Sequence, residues 1–160
     1  MRFCNWLEHT PFIVWVSNSV IASTIVELTH YFSLFLLVGS IVVVDLRIMG
    51  LAARKRSATQ LADELFPWMW TGLALNFLSG FLLFAGDAKT FYVNWVFHIK
   101  LTVILIAVVF GIFVQWGVRR WDRPPASMPI GAKLLAFVSL ALWIGSILAA
   151  VEVPALTSVG

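Results

Sequence analysis

Residues 20–46, VIASTIVELTHYFSLFLLVGSIVVVDL, decide the fold of this chain. The stretch exceeds the roughly 20 apolar residues that a helix needs to cross the hydrocarbon core of a bilayer. It nevertheless contains the ionisable residues Glu27, His30 and Asp45. Because such groups are costly at membrane depth, they are either paired with other polar groups or functional. The stretch therefore predicts a transmembrane helix that contains candidate site residues.

Three more apolar stretches follow, and together they predict spans at about 20–46, 66–86, 92–117 and 132–153. Of the 160 residues, 61% are hydrophobic and 12% are charged, whereas a soluble domain has roughly 25% charged residues. Short connections favour an up-down-up-down arrangement of the spans. We therefore predict an all-α, integral membrane four-helix bundle that forms a single transmembrane domain over residues 1–160.

Two flanking features refine this picture. Pro11 suits the first turn of a short interfacial helix over 11–19, where Trp15 would lie at the level of the lipid headgroups. Ser57 or Thr59 could cap a short extension of the second span. The start of the chain lacks the apolar core of a secretory signal, so we expect the N-terminus to be retained.

Most basic residues lie in two loops. One loop connects the first and second spans, and the other connects the third and fourth spans. These loops contain eight of the eleven Lys and Arg residues: Arg47, Arg54, Lys55, Arg56, Arg119, Arg120, Arg123 and Lys133. The positive-inside rule then places both loops in the cytoplasm and both termini outside. Because the basic residues act as topology signals, no nucleic-acid partner is needed to explain them.

Four polar residues in the first and third spans lie at a similar depth: Glu27, His30, His98 and Lys100. Counted back from Arg47 and Arg119 at about 1.5 Å per residue, they fall within roughly 6 Å of one level. One interpretation is structural. Glu27 and Lys100 would neutralise each other across the bundle. His30 would hydrogen-bond a neighbour such as Asn76 or Ser79.

The other interpretation is a cofactor site. His30 and His98, on different helices of a four-helix bundle, are suitable axial ligands for a b-type haem. Gly80 or Gly145 would leave room for the flat macrocycle, and Lys100 could bind a propionate. Alternatively, Glu27 and His30 share a helix face and could hold a metal ion with His98. His9 and Cys4 are a weaker pair of metal ligands near the outer surface.

Asp45 and Arg47 lie near the cytoplasmic end of the first span. Residues two apart do not face each other on a helix, so a direct ion pair between them is not expected. Asp45 is instead expected to pair with Arg119, Arg120 or an arginine of the first loop. The alternative is that Asp45 forms the cytoplasmic end of a proton path that begins at Glu27.

The order of the motifs ELTH, DLRIMGLA, LFPWMWTGLALNFLSGFLLF and YVNWVFHIK resembles a family of small four-helix proteins of the bacterial inner membrane. The likeness covers roughly residues 25–105 and does not include His98. Its recurring polar and turn positions are Glu27, His30, Asp45, Arg47, Pro67, Asn94 and Lys100. The resemblance implies a multi-pass protein of the bacterial inner membrane, and the positive-inside orientation then places both termini in the periplasm. The architecture also looks like four-helix b-type cytochromes and the membrane domains of copper-resistance proteins.

Three functions remain open at this stage. The first is a haem-binding electron-transfer subunit that uses His30 and His98. The second is a small ion or metal transporter with a polar path at Glu27, His30 and Lys100. The third is an accessory subunit of a larger membrane complex, or a homo-oligomer, in which these residues only orient helices in the lipid bilayer. No phosphate loop, dinucleotide fingerprint or nucleophile elbow is present, so independent catalytic activity is not expected.

Overall fold

The computed structural model describes residues 2–122 and 128–157, and the side chains as far as residue 148. All regular elements in this part of the chain are helices. They are α1 (Arg2–Glu8), α2 (Pro11–Asn18), α3 (Val20–Met49), α4 (Ala58–Gly86), α5 (Ala88–Val93), α6 (Trp95–Trp121) and α7 (Ile130–Thr157). Helices α3, α4, α6 and α7 are long and apolar enough to cross a membrane. The predicted all-α, four-helix membrane class is confirmed.

The helix ends follow local capping chemistry. The Ser19 hydroxyl accepts a hydrogen bond from the Ala22 N–H (3.3 Å) at the start of α3. At the other end of α3, Gly50 adopts the left-handed conformation (φ 77°), which terminates a helix at little cost for glycine. The Ser57 hydroxyl caps α4, because it accepts a hydrogen bond from the Gln60 N–H (3.0 Å). Ser57 is one of the two residues that the sequence offered as this cap. Helix α4 therefore begins eight residues before the predicted start of its span.

Short helices cover the end of the bundle opposite the basic loops. Helix α2 matches the interfacial helix expected at 11–19, whereas α1 and α5 are too short to give a hydropathy signal. The Glu8 carboxylate accepts a hydrogen bond from the Lys89 backbone N–H (2.8 Å) and lies 3.0 Å from Lys89 Nζ. The hydrogen bond from the Lys89 backbone N–H, followed by the contact with its side chain, holds the pKa of Glu8 below its ordinary value. These contacts join α1 to α5.

Helix α3 is the centre of the bundle, since it packs against both α4 and α7, while α6 packs mainly against α7. The α3–α4 approach is close because Gly72 has no side chain. A Cβ at position 72 would lie 2.7 Å from the Leu37 backbone nitrogen. Helices α4 and α6 contact each other much less than α3 and α4 do. The bundle is therefore tight around α3 and open between α4 and α6.

Candidate functional site

The His30 imidazole lies between α3 and α4 in a polar cluster within the apolar bundle. Its Nδ1 is 3.2 Å from the backbone carbonyl oxygen of Asn76 and 3.1 Å from Ser79 Oγ. The Asn76 side-chain amide donates to the His30 carbonyl oxygen (2.9 Å) and to Ser33 Oγ (3.3 Å). These hydrogen bonds confirm the sequence-based expectation that His30 bonds to Asn76 or Ser79.

The hydrogen-bond network assigns the tautomer of His30. The Ser79 hydroxyl has one proton and donates it to the Leu75 carbonyl oxygen, at 2.7 Å. It can then only accept from His30, and the Asn76 carbonyl is also an acceptor. We therefore assign the ring proton to Nδ1 and the lone pair to Nε2. Asn76 Nδ2 also lies 3.4 Å from Nδ1, but it makes a shorter hydrogen bond to the His30 carbonyl oxygen (2.9 Å). Nε2 has no hydrogen-bond partner within residues 2–122 and 128–148, so it is the reactive atom of this cluster.

Gly80 provides the space in which the His30 ring lies. A Cβ at position 80 would be 3.0 Å from His30 Cε1 and 3.4 Å from Nδ1. The prediction assigned Gly80 to the space beside a macrocycle. In the structure the imidazole itself fills that space, and the ring is held between Gly80 and the hydrogen bonds of Asn76 and Ser79.

Lys100 is half-buried on α6 and lies close enough to His30 to act on it electrostatically. The predicted pairing of Lys100 with Glu27 is wrong for this arrangement. Glu27 is exposed. Glu27 and Lys100 both belong to the described residues, and no ion pair joins them there. Glu27 thus lies on the outer face of α3 and not in the interior of the bundle.

The length of α3 explains why an exposed carboxylate at Glu27 costs little free energy. A helix of 30 residues spans about 45 Å, whereas the hydrocarbon core is about 30 Å thick. Glu27 lies 20 residues before Arg47, or about 30 Å along the axis. If Arg47 marks one membrane boundary, Glu27 lies at the other, where a carboxylate can reach water or headgroups at little cost.

The structure does not bring His98 to His30. His98 is exposed on α6, where its ring contacts the rings of Tyr92 (centroids 6.2 Å apart) and Phe97 (6.3 Å). Helices α3 and α6 are not among the well-packed pairs of the described bundle. His30 and His98 therefore do not face each other although their depths match, because α3 packs mainly against α4 and α7 rather than against α6.

A second polar cluster lies toward the other end of α3. Asp45 is fully buried (0% exposed), and neither carboxylate oxygen has a hydrogen-bond partner in the described residues. The expected pairing with an arginine is wrong. Arg119 binds Asp63 (2.8 Å), and Arg47 Nε donates to the Arg56 carbonyl oxygen (2.6 Å). Asp45 thus occupies the α3–α7 interface without a counterion among these side chains.

Two residues of α7 complete this second cluster, which we call the Asp45 cluster (Asp45, Ser139 and Trp143). The Ser139 hydroxyl lies near the Asp45 carboxylate, outside the distance or angle of a hydrogen bond. Ser139 and Trp143 are four residues apart and share a helix face. Both are buried, and Ser139 Oγ and Trp143 Nε1 also have no partner in the described residues. The Asp45 carboxylate and the Ser139 hydroxyl are therefore enclosed together without a hydrogen bond, and the unpartnered Trp143 indole lies one helical turn beyond Ser139.

Sequence reasoning missed Ser139 and Trp143. The available signal was the i, i+4 spacing of two polar atoms within an apolar span, SLALW, at residues 139–143. Serine and tryptophan are common in membrane helices, as a packing residue and a belt residue respectively. Their role depends on Asp45 lying opposite them, which only the helix packing reveals.

Metal sites were also predicted from the sequence. Among the side chains of residues 2–122 and 128–148, no group of three His, Cys, Asp or Glu is placed to hold a metal ion. His9 is exposed, and its Nδ1 is 2.7 Å from the Asn5 carbonyl oxygen. Cys4 lies on the buried face of α1. The structure therefore brings together His30, Asn76, Ser79 and Gly80, with Lys100 nearby, and leaves Glu27 and His98 outside.

Comparison with known proteins adds the family. Neither curated proteins nor solved structures give a match to this chain. A family model described as a family of unknown function, DUF6644, matches residues 3–153, which is nearly the whole chain. The chain belongs to this family of unknown function, DUF6644.

Proposed function

We propose that this protein is a small membrane transport protein that transfers protons along α3, with His30 near one membrane boundary and Asp45 near the other. The observation that supports this proposal is the complete burial of Asp45 without an ion-pair or hydrogen-bond partner in the described residues. Ionisable residues within a membrane bundle mark proton or ion pathways when they are not neutralised by packing partners. An arginine partner would have favoured a purely structural role.

The spacing of the two clusters fits a path across the bilayer. His30 and Asp45 are 15 residues apart on one helix, or about 22 Å along its axis. The hydrocarbon core is about 30 Å thick, so the two residues lie near its opposite sides. A proton that passes between them must cross most of the apolar layer.

The chemistry of the path begins at His30 Nε2, whose lone pair accepts a proton while Nδ1–H remains bonded to the Asn76 carbonyl oxygen and Ser79. Between the clusters, Ser33 and Ser40 are buried hydroxyls on α3. They donate to the carbonyl oxygens of His30 (2.9 Å) and Leu36 (2.7 Å). Ser33 Oγ also accepts from the Asn76 amide, so one lone pair of Ser33 and both lone pairs of Ser40 remain available. These hydroxyls can bind the water that a transfer over 22 Å requires.

Proton flux in proteoliposomes tests the proposal. The purified protein is reconstituted with a pH-sensitive dye inside the vesicles, and a pH gradient is applied with valinomycin and potassium present to dissipate the membrane potential. The wild-type protein should accelerate proton entry, and Asp45→Asn and His30→Ala should each abolish the acceleration. Asp63→Asn, which changes an exposed carboxylate on α4, is the matched control and should conduct normally. Equal flux in empty and wild-type vesicles would refute the proposal.

A haem-binding electron-transfer subunit is the second candidate, and the geometry of His30 favours it. Histidine ligands usually donate their second ring N–H to a backbone carbonyl or another acceptor, as Nδ1 does here toward Asn76, with Nε2 left for the metal. His98 does not face His30, so the two do not fit one bis-histidine haem within this arrangement. An absorbance spectrum of the purified protein, oxidised and reduced, would show a Soret band that His30→Ala removes. A colourless, folded protein would exclude this candidate.

The third candidate is an accessory or oligomeric role, in which both clusters only orient helices. It predicts that the protein co-purifies with a larger membrane complex and conducts no protons alone. Transport by the isolated protein would exclude it.

We also propose that the protein resides in a bacterial cytoplasmic membrane with both termini on the periplasmic side. The support is the concentration of basic residues in two loops on the same side of the bundle. After replacement of Cys4 by alanine, a cysteine at Lys55 should react with an impermeant thiol reagent only in opened cells. A cysteine at Thr90, in the outer region, should react in intact cells. The reverse pattern would overturn this orientation.

A further inference from the structure

A groove separates α4 from α6 at the end of the bundle that contains the basic loops. Its volume is about 950 Å³, and it extends from Phe66 and Trp70 on α4 to Phe113 and Arg120 on α6. Leu135 of α7 forms its floor. The groove exists because α4 and α6 pack loosely along their length. Neither the His30 cluster nor the Asp45 cluster contributes to it.

One end of the groove has an excess of positive charge. Arg119 and Arg120 both line it, together with Asp63. Arg119 Nη2 is bound to Asp63 Oδ1 at 2.8 Å, so these two charges compensate each other. Arg120 is exposed and makes no ion pair with any side chain of residues 2–122 or 128–148. The guanidinium of Arg120 therefore gives this end a net positive charge.

The rest of the groove is apolar and aromatic, with one oriented amide. Trp70 Nε1 donates to Gln115 Oε1 (3.1 Å), which fixes the Gln115 side chain and leaves its NH₂ group as a donor toward the groove. The Trp121 indole lies flat against its own helix, where a Cβ at Gly117 would overlap it. A cationic end joined to an aromatic channel matches a ligand that has an anionic head and an apolar tail.

We infer that this groove is a binding site for an anionic phospholipid, with the phosphate at Arg119 and Arg120 and an acyl chain along Phe66, Phe113 and Leu135. Basic pockets between transmembrane helices near the membrane surface bind lipid phosphates in this manner. Trp116 is exposed where it lines the groove, about one helical turn before Arg119 and Arg120, and tryptophan is enriched at the headgroup level of membranes. The inference is independent of proton transfer, since the groove shares no residue with the proposed path.

Native mass spectrometry of the full-length protein in detergent tests the site. The protein is titrated with phosphatidylglycerol and with phosphatidylcholine of the same acyl chains, and the fraction with one bound lipid gives an apparent affinity. Phosphatidylglycerol should bind more tightly. Arg120→Gln should weaken phosphatidylglycerol binding about fivefold, because one arginine near an anionic headgroup contributes roughly 1 kcal/mol. Phosphatidylcholine binding should not change.

Two further variants make the test specific. Asp63→Asn removes the carboxylate that compensates Arg119, so it should tighten phosphatidylglycerol binding by a similar factor. Arg54→Gln removes an exposed charge from the first basic loop, outside the groove, and is the matched control that should bind like the wild-type protein. Opposite effects at Arg120 and Asp63 are not expected from a general loss of folding.

Several results would overturn the inference. Equal affinities for the two lipids would remove the headgroup preference. An effect of Arg120→Gln no larger than that of Arg54→Gln, or weaker binding in Asp63→Asn, would exclude the groove as the lipid site. Competition by free glycerol phosphate as effective as that by the lipid would show a phosphate site without a role for the acyl chain.

Discussion

Replacing Asp45 with valine should stabilise the folded protein. Its carboxylate is 0% exposed and both oxygens have no hydrogen-bond partner in the described residues. Leaving a buried polar group unsatisfied costs about 1–3 kcal/mol, and more when the group is charged. Valine differs little in volume from aspartate and removes this cost. We therefore expect Asp45→Val to raise the free energy of unfolding by about 1–3 kcal/mol.

Reversible unfolding in mixed micelles, with increasing SDS, measures this change by circular dichroism. Asp63→Val is the control, because Asp63 forms an exposed ion pair with Arg119. An exposed pair typically contributes about 0.2–1 kcal/mol, so the control should be slightly destabilised. The stabilised Asp45 variant should at the same time lose proton flux, since functional groups are often retained at a cost in stability. A loss of more than about 1 kcal/mol in Asp45→Val would refute the reasoning, because a hydrogen bond or ion pair of Asp45 would then have been removed.

Three further predictions concern the rest of the bundle. Gly72→Ala should lower the free energy of unfolding by about 1–3 kcal/mol, because its Cβ would press on the backbone of α3. Gly39→Ala meets no atom within 4 Å and should leave the same SDS titration unchanged or shift it toward higher stability. Asn76→Ala should destabilise by about 1–3 kcal/mol, because the His30 carbonyl oxygen loses its side-chain donor. Asn76→Asp restores no donor and should not rescue the stability. Glu8→Gln should speed the reaction of buried Cys4 with dithiodipyridine, because α1 loses its charged contact with Lys89. Since the pKa of Glu8 is depressed in the fold, this contact is complete above about pH 4.3 and weakens as the pH falls through the lowered pKa. An unchanged labelling rate across that acid range would contradict the proposed contact.

The sequence predicted the elements whose physics is local. Apolar stretches of membrane length identified α3, α4, α6 and α7, and Ser57 was correctly considered as a cap. The hydrogen bond between His30 and the Asn76–Ser79 region could also be predicted. Few polar groups are present at that depth in an apolar bundle, so they have few alternatives to one another.

The predictions that failed all required knowledge of helix rotation and neighbour order. Counting residues along the helices placed Glu27, His98 and Lys100 at a similar depth in the membrane. It could not show which neighbouring helix each side chain faces. The closeness of Gly72 to Leu37 turns His30 toward α4, and α7 occupies the other side of α3. Asp45 consequently lies beside Ser139 of α7 rather than beside the arginines of the loops. Such contacts depend on the packing of residues that are distant in sequence, and the spacing of residues within one helix does not reveal the partner helix.

The central claim is that Asp45 exchanges a proton from within the bundle, and infrared difference spectroscopy tests it most directly. Purified protein in lipid is titrated with acid while the carbonyl stretch of protonated carboxylic acids is recorded, and the same titration is performed on Asp45→Asn. A pH-dependent band that is present in the wild-type protein and in Asp63→Asn, but missing from Asp45→Asn, is the predicted result. Identical spectra of the wild-type and Asp45→Asn proteins across the titration would contradict the claim.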